Sequence, residues 1–109
     1  MKLHIYENKK IVKTYEAETY DLMWGTVEDV AAAINIDTLK DANNFEILKL
    51  VTKLVTTNMN VFKKLLKDIF DGLTDDELRN TKVKEIAQVM VDVVIYTVGQ
   101  LTQGSNEKN

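Results

Sequence analysis

Asp71-Gly72-Leu73-Thr74-Asp75-Asp76-Glu77-Leu78 ends one helix and starts the next, and the rest of the chain reads outward from it. Upstream, Val61, Phe62, Leu65, Leu66, Ile69 and Phe70 recur at helical spacing. Gly72 then falls where a helix closes on a left-handed residue, a conformation glycine adopts without a Cβ penalty. Thr74 is a natural N-cap: its hydroxyl can accept from the Glu77 N–H while the Glu77 carboxylate reaches back to the Thr74 N–H, a capping box. Leu73 and Leu78 take the two positions of a hydrophobic staple. Asp75 and Asp76 fall in the first turn, where the helix dipole favours negative charge. Gly72, Leu73, Thr74, Glu77 and Leu78 therefore form a structural junction that sets the angle between two helices.

The same window is acidic, with Asp68, Asp71, Asp75, Asp76 and Glu77 close together, which raises the question of calcium. Register excludes an EF-hand. With Gly72 at the loop's glycine position, Lys67, Ile69 and Leu78 fall where oxygen ligands are required. The carboxylates read as caps and a solvated edge.

Downstream, a turn or two over Asp75 to Asn80 leads to Thr81, which can cap a long final helix. Val83, Ile86, Ala87, Met90, Val93, Val94, Thr97, Val98 and Leu101 hold its apolar stripe, yet Val89, Val91, Ile95 and Tyr96 fall off it. Apolar character thus covers most of the circumference, as in a central core helix or half of an oligomer interface. The polar stretch 103–109 is expected to be a disordered tail.

Toward the N-terminus, Leu3, Ile5, Ile11, Lys13, Tyr15 and Ala17 alternate around a polar four-residue link, Glu7-Asn8-Lys9-Lys10. This predicts a β-hairpin over 2–17. A lone hairpin is marginal in water, so its apolar face must rest on helices or on a second copy. Tyr20 to Gly25 is apolar without clear period and reads as a packed loop around Trp24, with a first helix capped at Thr26. Residues 35–44 form a polar connector, and Asn43 with Glu46 caps a second helix through Phe45 to Val55. The polar run Thr56 to Asn60 breaks it before the helix that ends at the junction. The expected fold is α+β, mostly α: a hairpin followed by about four to five helices over 20–102, in a single domain spanning 1–102.

The chain has 109 residues, of which 45% are hydrophobic and 28% charged, enough to bury a core in one domain. Cysteine is absent, which removes disulfides, thiolate metal sites and thiol nucleophiles. The net charge is −3, and the lysines are scattered, so nucleic acid is a poor partner. The N-terminal segment has no basic stretch followed by an apolar run and a small-residue cleavage site, so no secretion signal is expected. The longest apolar run, Ile86 to Val98, is interrupted by Gln88 and Asp92 and is shorter than the about 20 residues a bilayer requires. A cytoplasmic protein without membrane contact is expected.

Groups for catalysis are few. His4 is the sole histidine, expected to be solvated on the outer face of the first strand, and a zinc site would need an all-carboxylate shell. No glycine pair has the spacing of a phosphate-binding loop. No catalytic, cofactor-binding or metal-binding residues are therefore assigned, and the chain is not expected to be an enzyme. Surface for binding remains: the hairpin edge, the loop at Trp24, and the off-stripe side of the last helix. The candidate protein-binding residues are Trp24, Val91, Ile95, Tyr96 and Val98.

Three stretches carry a family resemblance. They are Met1-Lys-Leu-His-Ile-Tyr-Glu-Asn-Lys-Lys-Ile-Val-Lys-Thr-Tyr-Glu-Ala17, Tyr20-Asp-Leu-Met-Trp-Gly-Thr-Val-Glu-Asp29, and Leu65-Leu-Lys-Asp-Ile-Phe-Asp-Gly-Leu-Thr-Asp-Asp-Glu-Leu78 with the following Arg79-Asn-Thr-Lys-Val-Lys-Glu-Ile86. In these the chain resembles the small tail assembly chaperones of long-tailed phages and prophages of Gram-positive bacteria. The resemblance is one of pattern across most of the chain. It implies a non-catalytic protein of the host bacterial cytoplasm that coats the tape-measure protein, keeps its hydrophobic helices soluble and recruits tail-tube protein subunits. Such chaperones often have a longer frameshifted companion. The alternative is a small virion structural protein, of the tail or connector, that forms a homo-oligomer through the last helix and the hairpin edge. A transcriptional regulator is disfavoured by charge and by the lack of a basic recognition helix.

Overall fold

Asn8 and Lys9 both adopt positive φ, 51° and 67°, the combination that lets a two-residue turn follow the right-handed twist of its flanking strands. The computed structural model describes residues 1–34 and 41–106, and this turn joins its two strands, β1 (Lys2–Glu7) and β2 (Lys10–Glu16). The link is thus two residues rather than four, because Glu7 and Lys10 already pair in the ladder. Leu3 opposes Tyr15 and Ile5 opposes Lys13, after which the register skips Val12 and pairs Tyr6 with Ile11. That bulge turns the strand end. On the outer edge of β1 the Tyr6 N–H donates to the Asn80 carbonyl at 2.8 Å.

After the hairpin come a 3-10 turn (Thr19–Asp21) and five α-helices: α1 (Trp24–Ala33), α2 (Asn44–Thr57), α3 (Met59–Ile69), α4 (Asp75–Arg79) and α5 (Val83–Asn106). The architecture is α+β, mostly α, with a two-stranded antiparallel sheet. α1 starts two residues before the predicted cap: the Thr26 N–H already donates to the Met23 carbonyl at 3.0 Å, and Thr26 is buried rather than capping. Asn43 and Glu46 close their capping box as predicted. Most of the predicted 35–44 connector, residues 35–40, lies outside the described residues. The break predicted over 56–60 contracts to Asn58, whose φ of −150° and ψ of 67° bend the chain between α2 and α3.

α4 is capped by Thr74 and Glu77, as its sequence predicts. Thr81 does not cap α5. Its hydroxyl donates backwards to the Glu77 carbonyl at 3.1 Å, and the first N–H groups of α5 donate to the Lys82 carbonyl instead. α5 runs on to Asn106, so residues 103–106 are helical rather than a disordered tail; residues 107–109 lie outside the described residues.

α5 is the axis of the molecule, with β1, α1 and α2 all packed on it and α3 bridging α1 and α2. Leu3, Ile5 and Tyr15 of the hairpin join Leu65, Leu66, Phe70, Met90 and Val93 in one buried cluster. Burying a large apolar side chain contributes roughly 1.5–3 kcal/mol. The hairpin, marginal alone, is stabilised by that shared core. No helix among the described residues is long and apolar enough to cross a membrane.

Candidate functional site

Glu77 is the polar centre of the junction. Its Oε1 accepts from the Tyr15 hydroxyl at 2.5 Å and from the Thr74 N–H at 3.1 Å, and its Oε2 accepts from Lys13 Nζ at 3.1 Å. Tyr15 also lies 3.2 Å from the Gly72 carbonyl, and Lys13 sits 4.6 Å over the Tyr15 ring. The Tyr15 hydrogen bond, helped by Lys13 and the Thr74 N–H, overcomes partial burial and holds the Glu77 carboxyl at about 2. Lys13 is raised, by its contact with Tyr15 first and with Glu77 next. Elsewhere in the acidic window Asp75 pairs with Lys67 at 2.6 Å and is lowered by that hydrogen bond, and Asp68 pairs with Lys64 at 2.9 Å, while Asp71 and Asp76 form no ion pair among the described residues. Glu77, Asp75 and Asp68 answer lysines, and Glu77 a backbone donor as well. Among the described residues, no three His, Cys, Asp or Glu side chains are grouped for a metal.

His4 departs from the solvated position expected of it. Its backbone N–H and its Nδ1 both lie 2.8 Å from Glu85 Oε1, while the Tyr6 hydroxyl donates to Glu85 Oε2 at 2.7 Å. Burial pushes the Glu85 carboxyl up, but the donors from Tyr6 and His4 outweigh it and leave it lowered. A carboxylate aligning a histidine resembles half of a catalytic relay. The groove beside it is lined by Met1, Lys2, Lys84, Gln88, Val89 and Asp92 with His4, Tyr6 and Glu85, and the Tyr6 hydroxyl is already committed to Glu85. What the cluster does is close the outer edge of β1, whose free N–H groups at His4 and Tyr6 are taken by Glu85 and Asn80. The β2 edge carries Lys10, Lys13 and the bulge at Val12, features that discourage strand addition. The hairpin edge is therefore weaker as a binding surface than its sequence implies.

The apolar candidates separate. Trp24 is 62% exposed and Ile95 44%, and Tyr96 is half-buried. Val91 and Val98, at 7% and 9%, are core residues and do not belong to an open surface. β1, the 3-10 turn, α1 and α2 all pack around α5, and Ile95 is left in a groove beside Asp92 and Tyr96, with Glu18 and Thr19. α1 buries Thr26, Val27 and Val30 and leaves Trp24, its first residue, exposed.

Sequence reasoning missed the neighbours of Trp24. Tyr20 is 72% exposed and Met23 74%, and only Leu22 between them packs on the core. The missing helical period over Tyr20 to Gly25 was the available signal: an apolar run that follows no burial period has side chains the core does not collect. Phe45 and Val83, each first or second in a helix, are exposed too. Comparisons with protein-family models, curated proteins and solved structures give no match.

Proposed function

We propose that this chain is a phage tail assembly chaperone of the host bacterial cytoplasm, which binds the tape-measure protein, recruits tail-tube subunits and catalyses nothing. The observation that carries this reading is the set of large apolar side chains left in solvent on a well-packed helical body, with Tyr20, Met23 and Trp24 at one place and Ile95 at another. Exposed apolar groups of this size mark surfaces that meet another protein. A holder of long hydrophobic helices needs such groups on a body that is itself stable. The family resemblance in the hairpin, the Trp24 segment and the junction points the same way, and it alone supplies the names of the partners.

Co-expression with the tape-measure protein encoded nearby tests the reading. A soluble complex that releases the chain during tube assembly is expected. No soluble complex, together with stable incorporation of the chain into purified particles, would sink it in favour of a virion structural protein. Exposed Ile95 on α5 favours that second reading to the extent that copies of the chain associate through it.

A further inference from the structure

We infer that Tyr20, Met23 and Trp24 form a docking pad for one kind of segment: an amphipathic helix whose apolar stripe is flanked by Lys or Arg. The inference rests on the reading that this chain binds a helical client, and it names the chemistry of that client. The pad is built on a fixed backbone. Asp21 and Leu22 donate to the Glu18 and Thr19 carbonyls at 3.0 and 3.2 Å, Leu22 is anchored in the core, and α1 begins at Trp24. Three large side chains within five positions thus face solvent from an ordered turn, without the ordering cost of a loose loop. Trp and Tyr are the residue types that most often dominate binding energy at such surfaces.

Charge selects the partner. Positions 14–39 contain no Lys, Arg or His. Of the acids around the pad, Glu16 is neutralised by Lys2 at 3.3 Å and Asp29 by Lys64 at 3.1 Å. Glu18, Asp21 and Glu28 are exposed and form no ion pair among the described residues. The Met1 ammonium shares a groove with Glu18, but carboxylates outnumber cations in this part of the chain, and an aromatic pad in an acidic surround attracts cationic flanks and repels acidic ones. Conformation follows from the hairpin's end. Met1 and Ala17 exchange backbone hydrogen bonds at 2.7 and 3.0 Å, which closes the end of the hairpin, and the lysines and bulge of the β2 edge discourage an added strand. A helix face laid on exposed apolar anchors is the recognition mode that fits a helical client.

Gly25 agrees with this. It lies in the first turn of α1, a Cβ there would meet nothing within 4 Å, and glycine inside a helix costs about 0.5–1 kcal/mol relative to alanine. Nothing within the fold needs the missing side chain. Beside Trp24 it leaves bare backbone, as close approach by another chain requires.

Trp24 is the only tryptophan, so its emission reports directly on the pad. The full chain is titrated with two Trp-free synthetic helices of about 18 residues, long enough to hold helical structure, sharing one Leu stripe and carrying either Lys or Glu flanks. The Lys peptide is expected to shift Trp24 emission to the blue and to bind at least about tenfold more tightly than the Glu peptide, with an affinity that falls as salt rises. The double reversal Glu18→Lys with Asp21→Lys is expected to invert the preference. Gly25→Ala is expected to weaken binding while raising the melting temperature. Equal affinity for both peptides, or binding that leaves Trp24 emission unchanged, overturns the inference. In co-expression, Trp24→Ser is expected to lose the tape-measure complex. A retained complex with the variant overturns the pad but leaves the chaperone reading standing, whereas a wild-type chain that forms no such complex yet binds the Lys peptide through Trp24 overturns the chaperone reading alone.

Discussion

Glu77 joins the hairpin to the helical junction through a single carboxylate, receiving Tyr15 and Lys13 from β2 and the Thr74 N–H from its own cap. Its ionised form is favoured by folding: the carboxyl sits at about 2 in the fold against 4.5 ordinarily. A depressed folded value means that its contribution is fully present above pH 4.5 and is lost as pH falls from there through 2. Thermal melts from pH 7 to pH 2 should therefore show stability falling across that window, and Glu77→Gln should be less stable at pH 7 with a shallower fall. A variant whose acid limb matches the wild type would show that other carboxylates, Glu85 first, carry the dependence. Gly72 is the second residue on which the junction depends. Its φ of 89° is left-handed, so Gly72→Ala should cost about 1–2 kcal/mol, read as a lowered urea midpoint with an unchanged slope.

At the scale of elements, the junction was legible in sequence because each of its determinants is local: a glycine, a cap three residues from its carboxylate, and a leucine on either side. Leu73 and Leu78 are both buried, as the staple requires. The hairpin was legible for the same reason, through alternation, although its turn needed Lys9 at positive φ, a conformation no composition rule assigns to lysine. What failed depended on distant partners. Val91 and Val98 looked like spare surface because a helix apolar most of the way round can be a core axis or an interface, and only the number of elements packed on it decides. His4 looked solvated because its partner, Glu85, lies 81 residues away. α5 also holds a feature that no pattern announces: Thr97 is fully buried and its Oγ1 has no hydrogen-bond partner among the described residues. An unmet buried hydroxyl costs about 1–3 kcal/mol, so Thr97→Val should stabilise the fold by roughly 1 kcal/mol, raising the melting temperature by about 4–8 °C. A lower melting temperature would mean that the hydroxyl is satisfied in solution.

At the scale of the whole molecule, two successive turns on one side of α5 have different tasks, Val91 buried and Ile95 exposed, and charge substitution separates them. Val91 is buried in the core cluster, so the carboxylate of Val91→Glu would be placed in an apolar interior. That penalty is several kcal/mol, comparable to the whole stability of a domain of this size, about 5–15 kcal/mol, and the variant should be largely unfolded by circular dichroism. Ile95 lies one helical turn further along, outward and already beside Asp92. A new carboxylate there meets water, and the fold should change by no more than about 0.5 kcal/mol. Association is the property that Ile95→Glu should remove: sedimentation should give a folded monomer at concentrations where wild-type chains or client complexes are larger. Both variants folded, or both unfolded, would mean that α5 is not divided in this way. A folded Ile95→Glu that still associates would move the interface off this turn of α5, and the first place to look is the turn from Tyr20 to Trp24, where three large apolar side chains stand in water within five positions.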